Sequence, residues 1–362
     1  MSAAKAPPAV DLAALGWDHA WAEQAAALAS DAVPARVAIV YQDRLAVRGA
    51  AGQFWAELRG RLRRRQSDDA LAIPAAGDWV LVADNPGGGM ATVEALLPRR
   101  TRLVRQAAGR RTVPQVVAAN IDTVFVVTTP NRDFNPRRVE RYLAAIADGG
   151  AAAAVILNKV DLTEDPAQWI ADLEGVARGA PILPLSAATG GGLEALDAHL
   201  GPGRTVAFVG SSGVGKSSLI NRLLGDARQA VAAIREEDDK GRHTTTHREL
   251  VPLAGGRGIV IDTPGMRELQ LWSEGTAVRE SFEDVEAIAR GCRFRDCQHR
   301  REPGCAVRAA VRAGRLPPAR LAGFHKLASE ASTHELQRAD SSRIAARRRG
   351  RLARDVRDEA WD

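Results

Sequence analysis

Gly210-Ser211-Ser212-Gly213-Val214-Gly215-Lys216-Ser217 has the spacing of a phosphate-binding loop. Its glycines let backbone N–H groups turn inward around phosphates, Lys216 reaches the β and γ phosphates, and Ser217 ligates Mg²⁺, with Ser218 extending the binding set. A loop of this kind marks the centre of the chain as an α/β P-loop domain. It specifies a nucleotide without specifying the base.

Base choice is carried by Asn158-Lys159-Val160-Asp161. The Asp161 carboxylate accepts both N1–H and N2–H₂ of guanine, a donor pair that adenine lacks, and the wrong base would leave a desolvated carboxylate unpaired. Asn158 would tie this loop to the phosphate loop, and the Lys159 stem would cover one face of the base. Ser186-Ala187 would offer a backbone N–H to guanine O6. An Asn-Lys-x-Asp tetrapeptide also occurs in solvated loops, but here it ends the apolar run of residues 151–157, where a ligand loop at a strand end belongs.

Two further pieces complete the pattern. The apolar stretch 258–261 runs as a buried strand into Asp262-Thr263-Pro264-Gly265, where Asp262 would hold Mg²⁺ through water and the Gly265 N–H would sense the γ-phosphate. Between the phosphate elements lies Gly241-Arg242-His243-Thr244-Thr245-Thr246-His247. Thr245 is the candidate that completes the Mg²⁺ shell; the alternative is a polar surface loop with incidental threonines.

Ordinary GTPases run phosphate loop, threonine switch, Asp-x-x-Gly, Asn-Lys-x-Asp, Ser-Ala. Here Asn-Lys-x-Asp and Ser-Ala come first. A circular permutation accounts for this, because joining termini that lie close together and reopening the chain elsewhere leaves the site intact.

All three cysteines follow, as Cys292-x4-Cys297-x-His299-x5-Cys305. Three thiolates and an imidazole suit tetrahedral Zn²⁺, and a four-ligand site without an open position would be structural. The alternative is three unrelated buried thiols. An odd count excludes a disulfide framework and suits a reducing cytosol.

With these motifs, Asp262-Thr263-Pro264-Gly265-Met266-Arg267-Glu268-Leu269 among them, the chain resembles the ribosome small-subunit-dependent GTPase family (RsgA, also called YjeQ) over residues 34–330. The resemblance implies an all-β OB barrel (34–108), a circularly permuted GTPase domain (109–272) and an α-helical zinc-binding domain (273–330); outside the shared pattern lie an N-terminal extension (1–33) and a basic C-terminal helix or tail (331–362). It implies hydrolysis of GTP to GDP and phosphate in late maturation of the 30S subunit, stimulated by the subunit and coupled to release. The implied partners are the 30S subunit and its 16S rRNA, with a monomeric, cytoplasmic protein.

The N-terminal third agrees with a small barrel: short β-rich runs at 36–40, 77–82 and 91–96 are separated by Gly, Pro, Asn and Asp. Arg59, Arg61, Arg63, Arg64 and Arg65, and then Arg99, Arg100, Arg102 and Arg105, could neutralise RNA phosphates or be a solvated surface. Residues 17–28 read as a short helix. Arg347, Arg348, Arg349, Arg351 and Arg354 are either rRNA contacts or a solvated helix end.

The 362 residues, 45% hydrophobic, allow two or three packed cores. A net charge of +6 favours a polyanionic partner, tempered by 44 acidic residues. No apolar run approaches the roughly 18 residues of a membrane span, and no signal-peptide layout is present, so no membrane partner is expected.

Many GTPases place a Gln after the Asp-x-x-Gly glycine to orient the attacking water. This chain has Met266 there, so a low intrinsic rate is expected. His243, beside the switch threonines, is the candidate catalytic group with Lys216 and Thr245; the alternative is a histidine that packs or contacts RNA. Two other functions stay open: a signalling or metabolic GTPase whose barrel binds a protein, and a passive RNA-binding factor that uses GTP as a structural ligand.

Overall fold

The computed structural model describes residues 11–28, 31–41, 44–60, 62, 69–83, 90–106, 114–132, 134–225, 249–262, 282–294, 296–318 and 320–325. The chain divides into two compact units, Met1–Gln106 with Pro114–Leu271, and Ala107–Val113 with Trp272–Asp362.

The first unit begins with helix α1 (His19–Ala26), whose N-cap Asp18 accepts from the Trp21 N–H. Strands β1 (Val33–Val40), β2 (Leu45–Gly49), β3 (Gly52–Leu58), β4 (Trp79–Ala83) and β5 (Ala91–Leu96) follow. They pair in the order β1-β2-β3-β5-β4, and β4 pairs back onto β1, so the five strands close into a barrel. Period-2 alternation explains both of its faces. Val80 and Val82 point inward with Ala35, Val37, Val47 and Val93. Trp79 and Leu81, on the opposite face of β4, pack on Leu15 and Trp21. The apolar outer face of β4 is therefore covered by the N-terminal segment, at about 1.5–3 kcal/mol for each large side chain buried.

The α/β part contains β8 (Thr123–Thr128), α2 (Pro136–Asp148), β9 (Ala152–Asn158), α3 (Pro166–Ala177), β10 (Ile182–Leu185), β11 (Thr205–Gly210), α4 (Lys216–Leu224), β12 (Glu249–Pro252) and β13 (Ile259–Asp262). A two-stranded sheet of β6 (Arg102–Gln106) and β7 (Pro114–Ala119) precedes it. The order is β10-β9-β8-β11-β13-β12, parallel except for β12. Every residue of β8 and β11 is buried, as expected of central parallel strands covered on both faces. Val124, Val126, Val155 and Leu157 pack with Tyr142 and Ile146 of α2 and Leu173 of α3. Phe125, Val127, Ile156 and Phe208 pack on the other face with Leu219 and Leu223 of α4.

The barrel and this sheet are continuous. The first half of β1 pairs with β4, and its second half reaches β12 at Ile39 and Glu249. A register irregularity between Val37 and Ile39 bends β1 at the handover. Arg36 locks the same junction: its buried guanidinium donates to Gly77 O (3.1 Å), Leu15 O (2.5 Å) and Asn120 O (2.9 Å). Burial lowers its pKa to about 10, so it stays charged at neutral pH.

Two of the arginines considered above for RNA have partners within the fold, Arg99 at a buried carboxylate and Arg100 at the surface. Arg99 forks onto Asp78 (2.7 and 2.6 Å) and also donates to Ile73 O (2.6 Å), with the Asp78 side chain fully buried. Burial pushes the Asp78 carboxyl up, and the Arg99 fork pulls against it. Arg100 pairs with Asp18 (2.5 and 2.6 Å) and covers the Trp21 ring at 4.2 Å, pinning α1. Removing Arg99 would strand the buried Asp78 carboxylate, so Arg99 is structural, whereas Asp18 stays solvated without Arg100. Arg59 is paired with Glu94. Arg61, Arg63, Arg64, Arg65 and the basic tail lie outside the described residues. No helix among the described residues is long and apolar enough to cross a membrane.

In the second unit, α5 (Glu283–Ala289) and α6 (Ala306–Arg312) pack around Phe282, which meets Phe324 edge-on at 5.6 Å and carries Arg320 over its ring at 4.2 Å. Arg320 also forks onto Asp284 at 2.8 Å.

Candidate nucleotide and metal sites

Parallel register collects residues far apart in sequence. Gly210 of β11 stands beside Val127 of β8, Thr128 of β8 beside Leu157 of β9, and Asn158 of β9 beside Leu185 of β10. Asn158, Ser186, the 210–217 loop and Asp262 therefore all lie at the carboxyl edge of the sheet, where ligands of open α/β folds bind.

The loop between β11 and α4 turns on three left-handed glycines, Gly210, Gly213 and Gly215 (φ 142°, 79° and 96°). Gly215 leaves no room for a side chain: a Cβ there would sit 2.2 Å from Asn158 Nδ2. Lys216 Nζ donates to Gly210 O (2.7 Å) and Ser211 O (2.6 Å), so the ammonium is held across the loop just where the helix N-terminus favours anions. Ser212, Gly213, Ser217 and Ser218 are exposed, whereas Val214 is buried beneath them.

Asn158 is fully buried and bridges two loops, with Nδ2 donating to Val214 O (2.7 Å) and Oδ1 accepting from the Ala187 N–H (2.9 Å). A guanine O6 would thus share the Ala187 N–H with Asn158. Lys159 adopts the left-handed conformation (φ 64°) and its Nζ reaches Gly213 O at 2.8 Å, drawing its stem across the loop. Asp161 follows, exposed, in a short 3-10 turn. Ser186 is buried and its Oγ accepts from the Thr189 N–H at 3.2 Å. Sequence reasoning missed Arg222, which ties α4 to Ala187 O (3.0 Å) and Ala188 O (2.6 Å), and Arg138, which donates to Ser211 Oγ. Neither has a signal in its local sequence. His243, Thr245 and Gly265 lie outside the described residues.

In the second unit the ligand atoms of Cys292, Cys297, His299 and Cys305 all lie within 4.8 Å of one another. Cys292 Sγ and Cys305 Sγ are 3.9 Å apart, and His299 Nδ1 is 3.6 Å and 3.5 Å from them. A zinc tetrahedron with ordinary bond lengths has S···S edges of about 3.8 Å and S···N edges of about 3.5 Å. The donor set therefore fits zinc in chemistry and in dimensions. Desolvation first, and then the Cys305 and Cys292 thiols, push the Cys297 thiol up to about 11, so a cation is needed for it to act as a thiolate here. Glu302 shapes the intervening loop by accepting from the N–H groups of Gln298, Arg300 and Arg301.

The model of the RsgA GTPase family matches residues 96–272. A protein of Opitutus terrae named small ribosomal subunit biogenesis GTPase RsgA is 46% identical over 97% of this chain and 100% of its own length. The crystal structure of YjeQ from Thermotoga maritima superposes with a TM-score of 0.60 at 27% identity, covering 83% of this chain and 98% of that one. The fold is also that of YloQ, a circularly permuted GTPase, with a TM-score of 0.55 at 20% identity over 84% of this chain and 96% of the other. Similarity that runs at this level through the barrel, the permuted nucleotide site and the cysteine cluster means that the chain belongs to the RsgA GTPase family.

Proposed function

We propose that this GTPase acts in late maturation of the small ribosomal subunit, binding the subunit through its rRNA in the GTP state and leaving after hydrolysis. The observation that carries this reading is the end-to-end similarity to a relative named for small ribosomal subunit biogenesis. In this reading the five-stranded barrel is an OB fold, residues 34–108 and 109–272 are the barrel and GTPase domains, and 273–330 form a zinc domain. The protein works as a cytoplasmic monomer on 16S rRNA.

The nucleotide roles follow from the site. Asp161 accepts guanine N1–H and N2–H₂, Asn158 and Lys159 fix the loop around the base, and Ser186-Ala187 close over O6. The 210–217 loop wraps the phosphates, and Lys216 neutralises charge on the β and γ groups. Ser217, Thr245 and Asp262 would hold Mg²⁺, which would supply neutralisation of phosphate charge. Cys292, Cys297, His299 and Cys305 hold one structural Zn²⁺. His243 orients the attacking water when the subunit is bound, and Gly265 senses the γ-phosphate.

The shared sheet supports a route for stimulation. β12, which follows the 241–247 segment directly in sequence, is paired to β1 of the barrel, and its buried Glu249 lies in the field of the largely buried Arg48. Force on the barrel therefore bears on the strand adjoining the switch. The test is sedimentation with 30S subunits. Cosedimentation with a non-hydrolysable GTP analogue should exceed that with GDP by about tenfold, in line with coupling of 1–3 kcal/mol. In the same preparation, His243→Ala should lose most of the subunit-stimulated turnover. Equal binding in both nucleotide states would contradict coupled release, and undiminished stimulation would remove His243 from the mechanism.

A further inference from the structure

We propose that Arg138 is an arginine supplied in cis to the hydrolytic site, placed at the γ-phosphate side of the loop to stabilise charge on the transferred phosphoryl group. Arg138 lies in the first turn of α2, where the Asn135 N-cap accepts from its backbone N–H at 3.1 Å and Pro136 opens the helix. That cap fixes the direction in which the side chain leaves the helix. Its guanidinium donates to Ser211 Oγ, across 73 positions of sequence. The carbonyl of the same Ser211 accepts from Lys216 Nζ at 2.6 Å. Two cations thus meet one loop residue, one at its hydroxyl and one at its carbonyl.

Lys216 is the group that reaches the β and γ phosphates in such loops, so a cation sharing Ser211 with it is beside the γ position. An arginine has five N–H donors in a rigid fork, and one bond to a hydroxyl leaves donors for phosphoryl oxygens. Arginines that meet the transferred phosphoryl group in cis are a known way to lower this barrier. Met266 leaves the site without a Gln after Gly265, which makes an added charge more consequential. The inference rests on assigning residues 210–217 to the phosphates.

The test is subunit-free turnover and formation of the GDP–aluminium fluoride complex, a mimic of the transition state, in Arg138→Ala, Arg138→Lys and Lys216→Ala. The expected result is a kcat about 100-fold lower in R138A, with GDP affinity within twofold of wild type and the aluminium fluoride complex lost. R138K should be intermediate, because it keeps charge without the fork. Unchanged GDP affinity guards against misfolding. Wild-type kcat and complex formation in R138A would overturn the proposal. Wild-type GDP binding and turnover in K216A would overturn the loop assignment and the proposal with it.

Discussion

Asp161→Asn is expected to convert the site from guanine to xanthine. In the proposed reading the Asp161 carboxylate accepts two N–H donors of guanine. An amide offers one acceptor and one donor, which matches xanthine, where a C2 carbonyl replaces the N2 amine next to N1–H. A hydrogen-bonding mismatch of this type, desolvated once the base is bound, costs discrimination on the order of 10⁴-fold. The GTP kcat/KM should therefore fall by about that factor while XTP becomes a substrate. Asp161 is exposed in a short turn, so the substitution should not disturb folding. Steady-state hydrolysis of both nucleotides is the measurement. GTP turnover unaffected by the substitution would remove Asp161 from base recognition, and so would equal loss of both substrates.

Removal of the metal from the second unit should have a comparably large effect, on stability instead of chemistry. Short helical segments and a small aromatic cluster are a limited core for the described residues of 282–325. Structural zinc in small domains contributes roughly 10–16 kcal/mol of apparent binding energy at neutral pH. Chelation, or Cys305→Ser, should release one equivalent of zinc and make this unit sensitive to protease while basal GTP hydrolysis persists. The pH dependence has a definite sign. Cys297 is pushed up to about 11 without metal, so binding expels protons, and zinc affinity must fall as pH falls. Retained protease resistance after complete chelation would contradict a structural metal, as would the absence of zinc from purified protein.

Sequence made the chemistry legible where spacing over a few residues dictates it. The 210–217 loop, Asn158 to Asp161 and the Cys-Cys-His-Cys cluster are short patterns in which each residue type answers one physical demand. The barrel was legible only in part. β2 and β3 were missed because Leu45-Ala46-Val47-Arg48-Gly49 and its partner mix glycine, alanine and charge, and their burial comes from cross-strand neighbours distant in sequence. The arginines were the least legible. Arg99 and Arg100 sit side by side with Arg102 in a run that looks like a phosphate-binding patch, yet Arg99 is committed to Asp78 and Arg100 to Asp18. Charge in a sequence does not say which way it faces. Nor does it say which partner completes it, as Arg36 and Arg138 show, each with acceptors supplied by remote loops.

The sharing of β1 between barrel and α/β sheet has the widest consequence, and nothing local announces it. A strand eight residues long serves two neighbours in succession because a bulge redirects its second half. That arrangement joins the five-stranded barrel and the α/β sheet in one compact unit, which a pair of domains joined by a linker would not be.

The most direct test of a ribosomal GTPase is turnover by the purified protein alone, with 30S subunits and with 50S subunits, at fixed salt and Mg²⁺. Slow hydrolysis alone, rising by at least about tenfold with 30S and unchanged with 50S, is the predicted result. Equal rates in all three conditions would contradict small-subunit dependence and direct the search to a different activator.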